Sequence, residues 1–244
     1  MTIKHLGKSK TYNFETYDPG LLDSVPRNSL LQPGQSFGHD FWNAYEFSFL
    51  NLKSIPVLRA IEIKIPSSSS GTVESKSLKL YLASFYMQKF KDPAKPLLII
   101  QQDLSALLNA KVVARFKKSY KTAPAAILLN TATEMISANK IIKFEGFRSI
   151  CPITSQPDWA NIYLHSKSSK LNAKKLMKLF VSFRQKGDFH EACIESIFMD
   201  IIEEMNVTNL TIYGKFLRRG GIDINPLRST NKISPFTNHR EFLQ

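Results

Sequence analysis

The pattern of apolar residues in this chain occurs twice, and this repetition restricts the folds that are open to it. The first half is predicted to contain two strands, two helices and a further strand, at residues 40–51, 57–65, 77–89, 96–108 and 111–118. The second half is predicted to contain the same elements in the same order, at residues 143–153, 160–165, 171–186, 189–205 and 210–217. Such an order, present twice, predicts a tandem repeat of one α+β unit.

Identical residues support the repeat. An offset of 98 residues (176 minus 78) superimposes three residues of each half, Leu78, Ser84 and Phe85 on Leu176, Ser182 and Phe183. We therefore predict two modules, at residues 1–137 and 138–244. Three segments have little periodicity. Residues 1–40 and the tail from residue 218 onward are turn-rich, whereas residues 123–136 are apolar and compatible with a strand, a helix or a linker.

The strand at residues 57–65 has the clearest alternation. Ile61, Ile63 and Ile65 fall on one face, and Glu62 and Lys64 fall on the other. An alternation of this kind is typical of a β-strand.

Composition indicates a folded and strongly basic protein. The chain has 244 residues, of which 43% are hydrophobic, and a formal net charge of +13, so it can bury one large core or two small ones. Its lysines are scattered among acids, which favours a small molecule with phosphate groups over nucleic acid as the partner. A basic RNA-associated protein is the alternative. No apolar run is long enough to span a bilayer and the first residues do not resemble a signal peptide, which predicts a cytoplasmic protein without membrane contact.

One of the two cysteines lies in a segment that suits nucleophilic chemistry. Cys151 comes seven residues before Asp158, in a turn-prone stretch bracketed by two prolines. A thiol becomes a nucleophile as the thiolate, and a nearby group that handles protons completes such chemistry. The other interpretation is that Cys151 is a small buried apolar residue. Cys193 lies in the apolar stripe of the helix at residues 189–205 and is predicted to be a core residue.

Two carboxylates and a histidine could bind a ligand. His190 and Glu191 open the last predicted helix, where Glu191 either complements the helix dipole or accepts hydrogen bonds from the N–H edge of a guanine-like base. Glu74 could accept such bonds in the same way. His190 and Cys193, together with Cys151, also form a possible zinc set, although each end of such a site usually carries a close pair of ligands.

Two arginines precede a pair of glycines after the strand at residues 210–217, in the order Arg218, Arg219, Gly220 and Gly221. Paired glycines let a backbone approach a ligand and adjacent arginines suit phosphate, but a basic strand end that runs into a turn has the same pattern. Lys76 and Lys79 either form a solvated helix face or add further cations. The chain has neither the glycine fingerprint of a dinucleotide-binding crossover nor a phosphate loop, so a nicotinamide cofactor would need another binding device.

The segment at residues 74–81, Glu-Ser-Lys-Ser-Leu-Lys-Leu-Tyr, resembles a family motif at every position. The family is that of the NADPH-dependent 7-cyano-7-deazaguanine reductases, the nitrile-reducing enzymes of queuosine biosynthesis. Segments at residues 151–159, 189–191 and 218–226 recur in the order found in its longer, two-module branch. The resemblance extends from about residue 6 to residue 228. The lead-in and the segment that joins the modules are compact and depart from the family.

The resemblance implies a fold and a reaction. The fold is α+β, with tandem tunnelling-fold (T-fold) modules whose antiparallel sheets carry paired helices on one face, and the assembly is a homodimer. In the reaction, the Cys151 thiolate adds to the nitrile carbon of 7-cyano-7-deazaguanine to give a thioimidate, and Asp158 protonates the nitrogen. NADPH delivers a hydride twice, because reduction of a nitrile to an amine is a four-electron change. The product is 7-aminomethyl-7-deazaguanine, and no metal is required.

The resemblance also implies the ligand contacts. The substrate base is expected to contact Val73, Glu74, Ser75, His190 and Glu191. NADPH is expected to contact Ser75, Lys76, Arg219 and Gly220. Because these residues lie in both halves of the chain, both modules are expected to be needed for activity. The alternative enzyme is a zinc-dependent one similar to the type I GTP cyclohydrolases, which share the tunnelling fold.

Overall fold

The chain divides into two units that each combine separate parts of the sequence. The computed structural model describes residues 16–27, 36–130, 132 and 134–244. The first unit takes the described residues within Met1–Arg27, Phe41–Ser119 and Arg218–Ile222. The second takes those within Asn28–Asp40, Tyr120–Leu217 and Asp223–Gln244.

The first unit is built on a sheet with two helices. Its elements are β1 (Ser24–Pro26), β2 (Phe37–Asn51, which begins in the second unit), β3 (Pro56–Pro66), β4 (Gly71–Val73), α1 (Ser75–Ala83), β5 (Lys89–Phe90), α2 (Ala94–Leu108) and β6 (Val113–Lys117). The strand order is β6-β3-β2, and β5 pairs with β2 in parallel. Strands β1 and β4 form a separate antiparallel pair.

Aromatic and branched side chains form the core of the first unit. The ring of Phe85, just after α1, lies 5.5 Å from the ring of Phe47 on β2 and 5.3 Å from that of Tyr81. The three isoleucines of β3 are fully buried, as their alternation predicts. Glu62, on the other face of β3, is 1% exposed, and its carboxylate lies 2.6 Å from Arg115 and 3.4 Å from Lys117. Both cations are on β6, so a neighbouring strand stabilises this buried charge.

The second unit has a larger sheet with two helices on one face. Its elements are β7 (Ile127–Leu128), β8 (Met135–Ile136), β9 (Ile141–Ile150), β10 (Pro157–Ser166), β11 (Leu171–Asn172), α3 (Ala173–Ser182), α4 (His190–Met205), β12 (Leu210–Phe216) and β13 (Ile222–Ser229, whose first residue belongs to the first unit). The strand order is β13-β12-β10-β9-β7. The pair β7–β9 is parallel, and the pairs from β9 to β13 are antiparallel.

The helices of the second unit pack through the apolar stripes that predict them. Leu176 and Phe180 of α3 and Ile194 and Phe198 of α4 are fully buried. They join one core cluster with the apolar side chains of β9, β10 and β12. The α+β class is confirmed by these four helices and by the antiparallel and mixed sheets.

The other face of this sheet is polar, and the last segment of the chain covers it. The carboxylate of Glu241 lies 2.9 Å from the Lys143 ammonium and accepts from the Asn161 amide at 3.0 Å and from the Tyr163 hydroxyl. The ammonium of Lys215, a fully buried residue on β12, donates to the carbonyl of His239 at 2.6 Å. Because neighbouring residues of a strand point to opposite faces, these partners line the face away from the helices.

The turn-rich tail predicted from residue 218 is wrong over β13, all eight residues of which are buried. Polar residues occupy half of this strand, so the sequence reads as irregular. In the structure those residues have buried partners. Arg228 donates to Asp40 at 2.7 Å and lies 3.3 Å from Glu195 of α4. A Cβ atom on Gly38 would lie 2.0 Å from the carbonyl oxygen of Leu227, so only glycine allows this close approach.

Other irregular predictions have mixed outcomes. In the lead-in, β1 and the start of β2 are strands. Residues 1–15 and 28–35 lie outside the described residues. The ambiguous segment at residues 123–136 contains the short strands β7 and β8. Within the part of the chain that the structure describes, no helix is both long and apolar enough to cross a membrane.

Candidate active site

Cys151 occupies the turn of the hairpin that joins β9 and β10. Its backbone N–H donates to the carbonyl of Gln156 at 2.8 Å, and its own carbonyl accepts from the N–H of Ser155 at 3.0 Å. Ser155 has a φ of 55°, in the left-handed region that lets a chain reverse tightly. The thiol is free, and the residue is partly exposed. A small electrophile can therefore reach a sulfur atom whose backbone is held by the turn.

Asp158 lies on the second strand of the same hairpin. It pairs in register with Ser149 of β9 and is 4% exposed. Its Oδ1 atom lies 3.6 Å from Nε2 of His190. Side chains two positions apart on a strand share a face, so the alternation places Cys151 on the face of Ser149, diagonally across from Asp158. The hairpin thus brings together the predicted nucleophile and the predicted acid.

His190 and Glu191 form the start of α4. Phe189 is the N-cap residue, and its side chain makes no capping hydrogen bond. The imidazole ring of His190 meets the ring of Phe216 edge to face, with centroids 4.1 Å apart, which fixes the ring beside Asp158. Glu191 is 4% exposed and lies in the first turn, where the helix dipole stabilises an ionised carboxylate.

Three residues that interact with Cys193, namely Ser149, Lys186 and Asp188, are not among the predicted site residues. The hydroxyl of Ser149 faces the thiol of Cys193; burial raises the pKa of that thiol well above its usual range, and the hydroxyl lowers it in part. Burial also raises the pKa of Asp188, and the charge of Lys186 opposes this. Their only signal in the sequence is proximity to Cys151 or His190. Cys193 itself is fully buried, which confirms its predicted place in the core.

In the first unit, Glu74 is the N-cap of α1. One carboxylate oxygen accepts from the N–H of Lys76 at 2.8 Å and from the hydroxyl of Ser75 at 3.2 Å, and the other accepts from the N–H of Ser77 at 2.7 Å. The helix predicted from residue 77 therefore begins two residues earlier, because this carboxylate satisfies N–H groups of the first turn. Glu74 is 2% exposed and Val73 is 1% exposed. A carboxylate has about four lone-pair sites, so the cap leaves acceptor capacity for a ligand.

The paired glycines form the tip of a tight hairpin in the first unit. Arg219 and Ile222 exchange backbone hydrogen bonds of 2.8 and 3.1 Å, and Gly220 and Gly221 have φ values of 56° and 80°. Positive φ at both central residues is the pattern of a type I′ turn. A Cβ atom on Gly220 would lie 2.9 Å from the ammonium of Lys79. The turn therefore brings the predicted cofactor residues Arg219 and Gly220 against α1.

This arrangement fits a ligand with phosphate groups. Lys79, Arg218 and Arg219 are exposed, and Lys76 is partly exposed. The Arg218 guanidinium lies 5.5 Å from the centre of the Tyr45 ring, which orients one of these cations. Arginine, lysine and an open glycine backbone are the groups that bind phosphate, so these residues can hold the phosphates of NADPH without a Rossmann turn.

The predicted site residues thus form two groups, one in each unit. Four of them belong to the second unit, namely Cys151, Asp158, His190 and Glu191, and six belong to the first, namely Val73, Glu74, Ser75, Lys76, Arg219 and Gly220. Among the described residues, no group of three His, Cys, Asp or Glu side chains has the arrangement of a metal site.

Known proteins match the chain along almost its whole length. A family model described as the N-terminal part of the nitrile reductase 7-cyano-7-deazaguanine-reductase matches residues 12–116, and one described as QueF-like protein matches residues 157–235. The NADPH-dependent 7-cyano-7-deazaguanine reductase of Coxiella burnetii (strain CbuK_Q154) is 36% identical over 269 residues, which cover 98% of this chain and 96% of the relative. The protein of that name from Desulfotalea psychrophila is 36% identical over 255 residues, covering 93% and 92%. The chain therefore belongs to the 7-cyano-7-deazaguanine reductase family.

Proposed function

We propose that this chain reduces the nitrile of 7-cyano-7-deazaguanine to the aminomethyl group of 7-aminomethyl-7-deazaguanine with NADPH, in the cytoplasmic biosynthesis of queuosine. Similarity to reductases of this name over nearly the full chain supports the reaction. The observation that carries the chemistry is the β9–β10 hairpin, which presents a partly exposed cysteine on the face of a buried aspartate, beside His190.

Cys151 and Asp158 share the first chemical step. The thiolate forms a C–S bond with the nitrile carbon as one π bond of the nitrile breaks, and the electron pair moves to the nitrogen. Asp158 gives its proton to that nitrogen, so the product is a neutral thioimidate and an aspartate carboxylate. His190, with Nε2 at 3.6 Å from the carboxyl group, orients Asp158 and stabilises its negative charge when the imidazole is protonated.

The two buried glutamates recognise the base. A guanine-like ring presents adjacent N–H donors, and carboxylates accept such pairs with good geometry. Glu74 and Glu191 are both less than 5% exposed, so water competes weakly for their oxygens. Val73 and Ser75, next to Glu74, and His190, next to Glu191, complete the contacts.

Two NADPH molecules, bound in turn, would each supply one of the two hydrides that a four-electron reduction requires. Lys76 and Arg219 bind the phosphates of NADPH through charge-assisted hydrogen bonds, and the Ser75 hydroxyl adds a neutral donor. Gly220 keeps the turn free of a side chain, which allows a phosphate to approach the backbone.

We also propose that the fold is a tandem pair of T-fold modules, at residues 1–137 and 138–244, and that two chains form a homodimer. The strand orders β6-β3-β2 and β12-β10-β9 correspond. Helices α1 and α3 start 98 residues apart (173 minus 75), and a side chain of the preceding residue, Glu74 or Asn172, caps each. Ser84 and Ser182 each donate to the carbonyl three residues earlier, at 2.7 Å. These matched details support duplication of one module.

The decisive experiment is to mix the protein with 7-cyano-7-deazaguanine without NADPH and to measure its intact mass. Wild-type protein should gain the full mass of the substrate, because addition expels no group, and peptide mapping should place the adduct on Cys151. Cys151→Ala should form no adduct and show no turnover. Cys193→Ala, the matched control, should retain both. An adduct on Cys193, or turnover by Cys151→Ala, would refute the mechanism.

A further inference from the structure

We propose that Ser149 is a positioning residue for Asp158, and that its hydroxyl donates a hydrogen bond to the Asp158 carboxylate after the proton has left. The inference rests on the proposed function, in which Asp158 protonates the nitrile nitrogen. It adds a residue to the proposed machinery that neither the sequence motif nor the spacing of Cys151 and Asp158 indicates.

The Ser149 hydroxyl has only a weak partner inside a packed sheet. Ser149 is fully buried, and within the described part of the chain its Oγ makes no hydrogen bond of good geometry. The thiol of Cys193 interacts with it, but a thiol is a weak donor and a weak acceptor. Buried polar groups in native proteins are hydrogen-bonded with few exceptions. A hydroxyl held so weakly indicates a stronger partner that is formed in another state of the site.

The register of the hairpin identifies that partner as Asp158. Ser149 and Asp158 are directly opposite each other on β9 and β10, and opposite side chains on one face have Cβ atoms about 4.5–5.5 Å apart. Rotation about χ1 of a serine sweeps its hydroxyl across that gap. Cys151, two residues beyond Ser149, is on the same face, so the hydroxyl lies on the side of the strand where the reaction takes place.

The reaction creates the need for this donor. As the N–H bond forms on the substrate, the O–H bond of Asp158 breaks and a negative charge develops on a carboxylate that is 4% exposed. The Nε2 atom of His190 lies 3.6 Å from the carboxyl group, and this distance is longer than that of an ordinary hydrogen bond. A hydroxyl that donates to the ionised carboxylate stabilises the negative charge as it develops, so Asp158 gives up its proton more readily.

Charged and titratable groups of other elements lie around this pair. His190 and Cys193 of α4 interact with Asp158, and Lys186 and Asp188, before α4, interact with Cys193. Cys151 lies in the adjoining turn. Ser149 differs from these groups because it is neutral at every pH, so its removal takes away a hydrogen-bond donor without changing the charge of the site.

The test is the rate of adduct formation without NADPH, measured at one fixed pH. Asp158 gives up its proton in this step, so loss of the hydroxyl donor should slow it, and in Ser149→Ala the rate should fall about tenfold. Ser149→Thr, which keeps the hydroxyl, should retain the wild-type rate.

Two variants control for packing and folding. Ser229, on β13, is also buried, but its hydroxyl lies 2.7 Å from that of Thr211, so Ser229→Ala should leave the rate of adduct formation unchanged. Ser149→Cys keeps the volume with a weaker donor and should slow adduct formation on Cys151, even if Ser149→Ala does not fold. If wild-type protein turns over without forming an adduct, the proposed function fails and this inference fails with it. If the adduct forms and neither Ser149→Ala nor Ser149→Cys slows its formation, this inference alone is refuted.

Discussion

Asp158 illustrates how a single residue can be tested for chemistry apart from structure. The substitution Asp158→Asn keeps the shape and much of the hydrogen bonding of a buried side chain, but an amide cannot give a proton to the nitrile nitrogen. We expect the rates of adduct formation and turnover to fall by a factor on the order of 10² or more, within the usual range for general acid–base catalysis. Stopped-flow absorbance of NADPH measures turnover, and thermal unfolding verifies the fold. Near-normal rates in a folded Asp158→Asn protein would show that the residue is structural.

Glu241 gives a prediction about stability and pH. Burial alone would raise its pKa, but hydrogen bonds from His239, Tyr163 and Lys143 outweigh burial and hold the pKa well below its ordinary value of about 4.5. The ionised carboxylate therefore contributes stability that is fully present above pH 4.5 and is lost as pH falls toward the folded-state pKa. Glu241→Gln should lower the free energy of unfolding by about 2–3 kcal/mol at pH 7, and this difference should narrow below pH 4.5.

Urea unfolding at a series of pH values measures this effect. Glu145→Gln is the matched control, because Glu145 lies 2.8 Å from the same lysine, Lys143, but is 54% exposed. An exposed ion pair contributes about 1 kcal/mol or less. Equal losses in the two variants, or a loss in Glu241→Gln that does not depend on pH, would contradict the role assigned to the buried carboxylate.

Among the secondary-structure elements, the turn at Gly220 links backbone geometry to cofactor binding. Alanine at this position would adopt a left-handed conformation at a cost of about 1–2 kcal/mol, and its Cβ would lie 2.9 Å from the ammonium of Lys79. We expect Gly220→Ala to raise the KM for NADPH several-fold and to leave adduct formation without NADPH unchanged. Gly146→Ala is the control, because Gly146 also has a positive φ, of 72°, and a Cβ there would meet no atom within 4 Å. A similar change in KM in both variants would exclude a role for the contact with Lys79.

The sequence predicts elements well where burial and polarity agree. The stripes of α3 and α4 and the isoleucines of β3 follow this rule, and their faces are as expected. Strand β13 does not, because its polar residues are buried against partners that are distant in sequence, such as Asp40 for Arg228. Periodicity shows which residues are polar, but it cannot show which of them have a hydrogen-bond or ion-pair partner in the folded protein. The same limit hides Ser149, whose significance comes from the register between β9 and β10.

For the whole molecule, the interleaved units lead to a prediction about splitting the chain at the proposed module boundary. Fragment 138–244 lacks the described residues within Asn28–Asp40 that belong to the second unit, and fragment 1–137 lacks Arg218–Ile222 of the first. Arg228 would then be buried without Asp40, and loss of one member of a buried ion pair costs about 3–5 kcal/mol. We expect neither fragment to unfold cooperatively by calorimetry, whereas the mixed fragments should recover a cooperative transition. A sharp transition in fragment 138–244 alone would show that the second unit does not need the early residues.

The ion pair between Asp40 and Arg228 also affects the synthesis of the protein. These residues are 188 positions apart in the chain. Because ribosomes add about 5–20 residues per second, Arg228 is translated roughly 10–40 s after Asp40. During that interval Asp40 lacks the guanidinium of Arg228, and β2 lacks its neighbouring strand β13. The second unit can therefore complete its fold only after translation has passed β13.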